Sequence, residues 1–254
     1  MASKQCRFDA IRCYTFFMSE SHVRVEIIPA ILPQSFKDLE ERLAPLKDAI
    51  RQAQIDVVDG HYAKPKTWPY RDSDTFKKIV QEEHGLPFWD KIDFQFDLMI
   101  QNPHLVLKEY IQAGASQMVL HAKSTGVEEA LQMVVDRRTD EMGAFTVRAG
   151  IAIGAQDQPD ALSPFEAQFD FVQVMGIDHE GRQGDPFDKK AVYLVERLRS
   201  RYPVLPIQVD GGVTKENARE LIAAGAGKLI VGSAIVASDD PLAAYQELVA
   251  LVNS

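Results

Sequence analysis

Residues 205–233, LPIQVDGGVTKENARELIAAGAGKLIVGS, contain the unit that decides the fold. A short apolar run over Leu205–Val209 is followed by an amphipathic stretch over Thr214–Ala223, and then by a second apolar run over Lys228–Val231. Gly225 is placed to end the helical stretch in a left-handed turn. Short apolar runs that alternate with helical patterns predict parallel strands joined by crossover helices.

The same unit recurs towards the N-terminus. Ala113-Gly114-Ala115 leads into an apolar run just as Ala224-Gly225-Ala226 does. The other predicted strands are Val23–Ile28, Gln54–Val58, Phe94–Ile100, Gln117–His121, Thr146–Ile153 and Phe169–Met175. Eight strand–helix units predict an α/β fold, a (β/α)8 or TIM barrel, as a single domain over residues 23–254. A doubly wound sheet is disfavoured because no G-x-G-x-x-G follows the first strand. Residues 1–22 are expected to be a poorly ordered tail.

Composition excludes several classes of function. The 254 residues are 46% hydrophobic and 26% charged, which is typical of a globular protein. The 28 Lys and Arg against 37 Asp and Glu give a net charge of -9, which disfavours binding to nucleic acid. No apolar stretch approaches ~18 residues, so no membrane span is expected. The two cysteines, Cys6 and Cys13, favour a reducing cytoplasm over a disulfide scaffold.

Acidic residues stand near the ends of three predicted strands, where the active site of such a barrel lies. These residues are Asp56, Asp97 and Asp210, and Gln54 shares a strand face with Asp56. Carboxylates brought together there would raise one another's pKa or bind a cation. The pattern predicts two linked roles for this group of residues, acid/base proton transfer and metal ligation. The alternative is that each aspartate caps a loop or a helix.

Glycines follow the last three strands and suit a phosphate group. Gly211 and Gly212 follow the seventh strand, Gly232 and Ser233 follow the eighth, and Gly184 lies in the loop after the sixth. Backbone N–H groups in such turns can approach an anion closely because no side chain intervenes. We therefore predict a phosphate site on an acidic protein, with plain tight turns as the alternative.

These motifs resemble the ribulose-phosphate 3-epimerase family over nearly all of residues 25–250. The segments that carry the resemblance are Ile28–Leu32, Ile55–His61, Leu98–Ile100, Val209–Val213 and Gly232–Ile235. It implies an isomerase of the pentose phosphate pathway that converts D-ribulose 5-phosphate to D-xylulose 5-phosphate by inversion at C3. In this family two aspartates, here Asp56 and Asp210, exchange the proton, and a divalent metal stabilises the enediolate. Met99 and Met175 match methionines that line the family's site.

The chain departs from the family at the metal. Gln54 and Asp97 stand where the family has two histidines, and Ala30 replaces a serine. The resemblance therefore implies a metal site formed by Gln54, Asp56, Asp97 and Asp210, whose oxygen ligands suit Mg²⁺ or Mn²⁺ better than Zn²⁺ or Fe²⁺. The sequence therefore predicts a hard divalent ion or no metal, in which case the three aspartates would share a proton.

Two other functions stay open. One is a related barrel lyase or decarboxylase, although Asp97–Asn102 lacks the lysine and the last aspartate of the Asp-x-Lys-x-x-Asp motif that those enzymes favour. The other is a phosphosugar-binding barrel without activity. His121, at the end of the fourth strand, and Lys123 just after it are weaker catalytic candidates, and His121 is expected to be a packed or hydrogen-bonded residue. The expected partners are a small phosphorylated sugar and further copies of the chain, with no nucleic acid or membrane.

Overall fold

Eight parallel strands form the centre of the molecule. The computed structural model describes residues 25–140, 147–181 and 184–254, so the predicted tail over residues 1–22 lies outside the described residues. The strands are β1 (Glu26–Ile31), β2 (Gln52–Val58), β3 (Asp93–Met99), β4 (Ala115–His121), β5 (Arg148–Gly154), β6 (Phe171–Met175), β7 (Ile207–Asp210) and β8 (Lys228–Val231). Within the described residues they close into a barrel in sequence order, β1 to β8, with β1 paired to β8. The predicted (β/α)8 barrel is confirmed.

The helices surround this barrel. They are α1 (Phe36–Leu43), α2 (Asp74–Val80), α3 (Leu107–Gln112), α4 (Val127–Asp140), α5 (Lys190–Arg201), α6 (Lys215–Ala224), α7 (Ser233–Val236) and α8 (Pro241–Val252). Local sequence sets several boundaries: the Ser35 side chain accepts from the Asp38 N–H at the start of α1, and Gly225 ends α6 at a φ of 117°. In the part of the chain that the structure describes, no helix is long and apolar enough to cross a bilayer.

The helix after β6 begins later than the sequence predicts. An Asp-Pro pair is typical of a helix start, so the sequence predicts that this helix begins at Asp185-Pro186 and runs to about Ser200. In the structure α5 begins at Lys190. The Asp188 N–H donates to the Gly176 carbonyl over 2.8 Å, which ties the two ends of the preceding loop together. Asp185-Pro186 therefore belongs to a loop over the barrel mouth, because the chain closes this loop before it can begin a helix.

Strand register decides which side chains enter the barrel. On β2 and β3, Gln54 pairs with Gln95 and Asp56 with Asp97. On β6 and β7, Gln173 pairs with Gln208 and Met175 with Asp210. Alternate residues on these strands, such as Ile55, Val57, Phe96, Leu98, Val172, Val174 and Val209, are fully buried in the hydrophobic core. The barrel interior consequently carries a layer of glutamines on these four strands, with the aspartates one step closer to the C-terminal ends.

Candidate active site

Three carboxylates converge at the C-terminal ends of β2, β3 and β7. Asp56, Asp97 and Asp210 each offer one oxygen, and these oxygens all lie within 4.8 Å of one another. All three residues are buried, with Asp97 at 0% exposure. The Thr67 hydroxyl holds the end of β2 in place, because it donates to the Asp56 carbonyl and accepts from the Val58 N–H. The structure thus brings together the three aspartates that the sequence predicted to meet.

Burial and mutual repulsion disfavour the charged forms of these groups. Burial, followed by the charges of Asp210 and Asp97, raises the pKa of Asp56 well above its usual value. Burial and the charge of Asp97 raise the pKa of Asp210 to about 7. Such shifts mean that, without a cation, the cluster retains a proton near neutral pH.

Gln54 joins the two predicted acid/base residues. Its Nε2 donates to Asp56 Oδ1 over 2.8 Å and to Asp210 Oδ2 over 2.6 Å. Its Oε1 accepts from Gln95 Nε2 over 2.6 Å. Gln54 therefore presents its amide nitrogen to the carboxylates rather than the oxygen that a metal would need. To act as the predicted metal ligand, Gln54 would have to flip its amide so that Oε1 faces the carboxylates. The hydrogen bond from Gln95 to Oε1 would then be lost.

Asp97 is held by two other donors. His121 Nε2 lies 2.7 Å from Asp97 Oδ1, and Gln173 Nε2 donates to Asp97 Oδ2 over 2.8 Å. Gln173 also accepts from Gln208 Nε2 over 2.5 Å. Sequence reasoning missed Gln95, Gln173 and Gln208, although a signal was present. On four strands a glutamine stands two residues before a residue that faces the cluster: Gln54 before Asp56, Gln95 before Asp97, Gln173 before Met175 and Gln208 before Asp210.

The donor set fits a hard divalent cation. Asp56, Asp97 and Asp210 supply three carboxylate oxygens in a buried group whose negative charges are incompletely balanced. Mg²⁺ and Mn²⁺ prefer such oxygen ligands, whereas the imidazoles that favour zinc or iron are absent from the positions of Gln54 and Asp97. These three aspartates are thus the residues of this chain that would hold the metal.

A cavity of about 270 Å³ lies above the cluster at the barrel mouth. Asp56 and Asp210 reach its wall, whereas Gln54 and Asp97 are fully buried and do not line it. The other predicted residues that line it are Met99, Met175, Gly184, Gly211, Gly212, Gly232 and Ser233. A small molecule in this cavity would contact the acid/base pair and the glycine turns at the same time.

The glycine turn after β7 requires its glycines. Gly211 and Gly212 adopt φ values of 98° and 65°, which disfavour any side chain. A Cβ at Gly212 would lie 2.9 Å from the Phe187 Cα. Asn217 in α6 supports the turn, since its Nδ2 donates to the Gly212 carbonyl over 2.9 Å and its Oδ1 accepts from the Thr214 N–H. The backbone is thus exposed to the cavity in a fixed shape that suits an anion.

This fold and site define the class: a (β/α)8 barrel with a candidate active site at the C-terminal ends of the strands. The sequence model of the ribulose-phosphate 3-epimerase family matches residues 26–236. The chain belongs to the ribulose-phosphate 3-epimerase family and is an isomerase. It is 26% identical to the ribulose-phosphate 3-epimerase of Schizosaccharomyces pombe over 86% of this chain and 90% of that one. It is also 26% identical to the enzyme of Aquifex aeolicus, over 90% of this chain and 97% of that one.

Solved structures share the barrel at lower identity. The 3-hexulose-6-phosphate synthase of Salmonella typhimurium aligns with a TM-score of 0.61 at 16% identity, over 89% of this chain and 98% of that one. The orotidine 5'-phosphate decarboxylase of Pyrococcus horikoshii aligns with a TM-score of 0.59 at 16% identity, over 90% and 99%. At such identities the likeness concerns the fold.

Proposed function

We propose that this protein epimerises C3 of a ketose phosphate, with D-ribulose 5-phosphate and D-xylulose 5-phosphate as the favoured pair. The observation that carries the proposal is the placement of Asp56 and Asp210 on the wall of one cavity, beside the glycine turns. Inversion at carbon needs one group to remove a proton and a second to return one on the other face. A single base would return the proton to the side it left.

The two aspartates supply these two roles. The ionised carboxylate of one removes the C3 proton, and the C–H electrons move towards the C2 carbonyl to give an enediolate. The protonated carboxyl of the other then delivers a proton to the opposite face of C3. In the metal-free cluster, burial and the neighbouring carboxylates raise the pKa values of both aspartates, which favours one protonated and one ionised carboxyl group. Gln54 keeps both carboxylates in register by donating to each.

The remaining residues bind the substrate and balance its charge. Gly211, Gly212, Gly232 and Ser233 are proposed to hold the phosphate, and Met99 and Met175 to flank the reacting carbons. A Mg²⁺ or Mn²⁺ ion held by Asp56, Asp97 and Asp210 would supply positive charge for the oxygen that becomes negative as the proton leaves. We further propose that the reaction takes place in the cytoplasm and that the chain forms a homo-oligomer.

Deuterium exchange at C3 tests the reaction. In D2O with Mg²⁺ or Mn²⁺, we expect D-ribulose 5-phosphate to gain deuterium at C3 as D-xylulose 5-phosphate forms. NMR measures both changes. Tight binding of the sugar phosphate without exchange would instead indicate a binding protein. Cleavage of a carbon–carbon bond would indicate a lyase.

Metal analysis tests the proposed ion. We expect the purified protein to bind one Mn²⁺ or Mg²⁺, and Asp97→Ala to weaken Mn²⁺ binding at least about tenfold, because it removes one of three carboxylate ligands. Titration calorimetry or electron paramagnetic resonance measures the affinity. Tightly held stoichiometric zinc would contradict the preference for a hard ion.

Gly212→Ala tests the phosphate site. The new methyl group would press on Phe187 and disfavour the φ of 65°, so the turn must shift. We expect binding of the sugar phosphate, measured by calorimetry, to weaken at least about tenfold, which corresponds to ~1.4 kcal/mol. Gly227→Ala is the matched control, because the nearest atom to its Cβ, the Ile207 carbonyl oxygen, lies 3.9 Å away. Equal affinities of the two variants for the sugar phosphate would show that the phosphate does not bind at this turn.

A further inference from the structure

A buried chain of hydrogen bonds leads away from the acidic cluster. His121, at the end of β4, has Nε2 2.7 Å from Asp97 Oδ1 and Nδ1 3.1 Å from Glu180 Oε2. The Tyr62 hydroxyl donates to the same Glu180 carboxylate, and the Tyr62 ring lies 5.0 Å from the His121 ring. The order of contacts is therefore Tyr62, Glu180, His121, Asp97.

This arrangement gives the His121 ring a single orientation. The side chain is 1% exposed, and each ring nitrogen faces a carboxylate, which can only accept. Both nitrogens therefore donate, and a turn of the ring would break both hydrogen bonds at once. A histidine that only fills space would need neither carboxylate, so of the two roles expected from the sequence, packed or hydrogen-bonded, His121 has the second.

The chain of contacts also fixes Asp97. His121 and Gln173 bind its two oxygens from different strands, β4 and β6. Asp97 lies within 4.8 Å of Asp56 and Asp210 but does not reach the cavity wall. A change in the position of His121 would be transmitted to the cluster through Asp97 without touching a ligand in the cavity.

Glu180 reaches His121 from the loop after β6, two strands away from β4 in the barrel. It follows β6, and a Cβ on its neighbour Gly181 would lie only 3.2 Å from Val58 and Ala63 of the β2 end. Tyr62 is held there in turn, since Asp59 Oδ1 accepts from the Tyr62 N–H over 2.8 Å. Residues after β2, β4 and β6 therefore meet at one carboxylate.

We propose that Glu180 is a positioning residue: it fixes the His121 ring, which in turn holds Asp97 in the arrangement that the acidic cluster needs. The inference deepens the proposed epimerase function and rests on it for its kinetic consequence. Substitution of a residue that hydrogen-bonds to a metal ligand or an acid/base group commonly lowers metal affinity or activity by ~10–100-fold.

Variants of Glu180 test the proposal. We expect Glu180→Ala to lower kcat at least about tenfold with KM changed less than about threefold, because Glu180 does not line the cavity. Mn²⁺ affinity should fall in parallel. Glu180→Gln keeps an oxygen that can accept from His121 and should restore part of the loss. Asp178→Asn, an exposed acid in the same loop, is the matched control and should behave as wild type.

NMR of the metal-free protein separates this proposal from the epimerase function. Wild type should show both ring N–H protons of His121 protected from exchange, and Glu180→Ala should lose the Nδ1–H signal while Asp178→Asn retains it. Tyr62→Phe, which keeps the ring but removes one donor to Glu180, should show a smaller change. Unchanged His121 signals or unchanged kcat in a folded Glu180→Ala would overturn the proposal. A wild type that exchanges no ketose phosphate would refute the epimerase function alone, since the His121 signals and Mn²⁺ affinity still report on Glu180.

Discussion

Asp56→Asn and Asp210→Asn are each expected to lower the rate of epimerisation at least about a thousandfold, because an amide cannot take the C3 proton. Exchange of the C3 hydrogen with solvent should be lost for only one of the two epimers. Each variant retains one carboxylate of the acid/base pair. It should therefore still exchange the C3 hydrogen of one epimer with solvent, but it should no longer invert the configuration at C3. The two variants should retain exchange in opposite epimers, which NMR in D2O measures for D-ribulose 5-phosphate and D-xylulose 5-phosphate separately.

Asp93→Asn is the control for this pair. Asp93 allows the same change from aspartate to asparagine on a barrel strand. It is exposed at the N-terminal end of β3, away from the acidic cluster. It should leave both exchange and inversion unchanged. If both active-site variants exchanged the same epimer, or if either still inverted C3, the two aspartates would not act on opposite faces.

Asp210→Asn is also expected to stabilise the metal-free protein at alkaline pH. The pKa of Asp210 is about 7 in the folded state, above the usual 3.8 of an unfolded aspartate. The folded state therefore binds the proton more tightly, so the contribution to stability is complete below pH ~4 and is lost as pH rises through 7. The neutral amide avoids this loss, so the free energy of unfolding of the variant at pH 8–9 should exceed that of wild type by on the order of 2–4 kcal/mol.

Urea unfolding in EDTA between pH 5 and 9 measures this difference. The gain should shrink towards pH 5, where Asp210 of the wild type is protonated. Added Mn²⁺ should restore wild-type stability more than that of the variant. Asp93→Asn keeps Asp210, so its stability should follow that of wild type at every pH, with no gain at pH 8–9. A metal-free wild type at least as stable as Asp210→Asn at pH 8 would mean that the buried charge is balanced by other groups.

The fold was predictable because its signal is repeated. Apolar runs, helical stretches and glycine stops recur along the chain, so an error at one boundary leaves the others intact. The start of α5 was missed because an Asp-Pro pair favours a helix start locally. At Asp185 the closure of the loop by Asp188 and Gly176 outweighs that preference, and only the folded chain shows it.

The site was predictable where a motif or strand end marks it. Asp56, Asp97 and Asp210 stand near the ends of three predicted strands, and the strand periodicity places their side chains inside the barrel. Glu180 and Tyr62 carried no comparable signal, because they lie in loops whose path across the mouth depends on tertiary contacts. The amide orientation of Gln54 was equally inaccessible, since it depends on Gln95 on the neighbouring strand.

The glutamine layer ties the chemistry of this barrel to its folding. Gln54, Gln95, Gln173 and Gln208 are buried amides that hydrogen-bond to one another, to the aspartates and to the Met175 sulfur. An aliphatic replacement at any of them would leave a buried polar neighbour unsatisfied. A new set of ligands at the centre of the barrel would therefore require simultaneous substitutions on neighbouring strands.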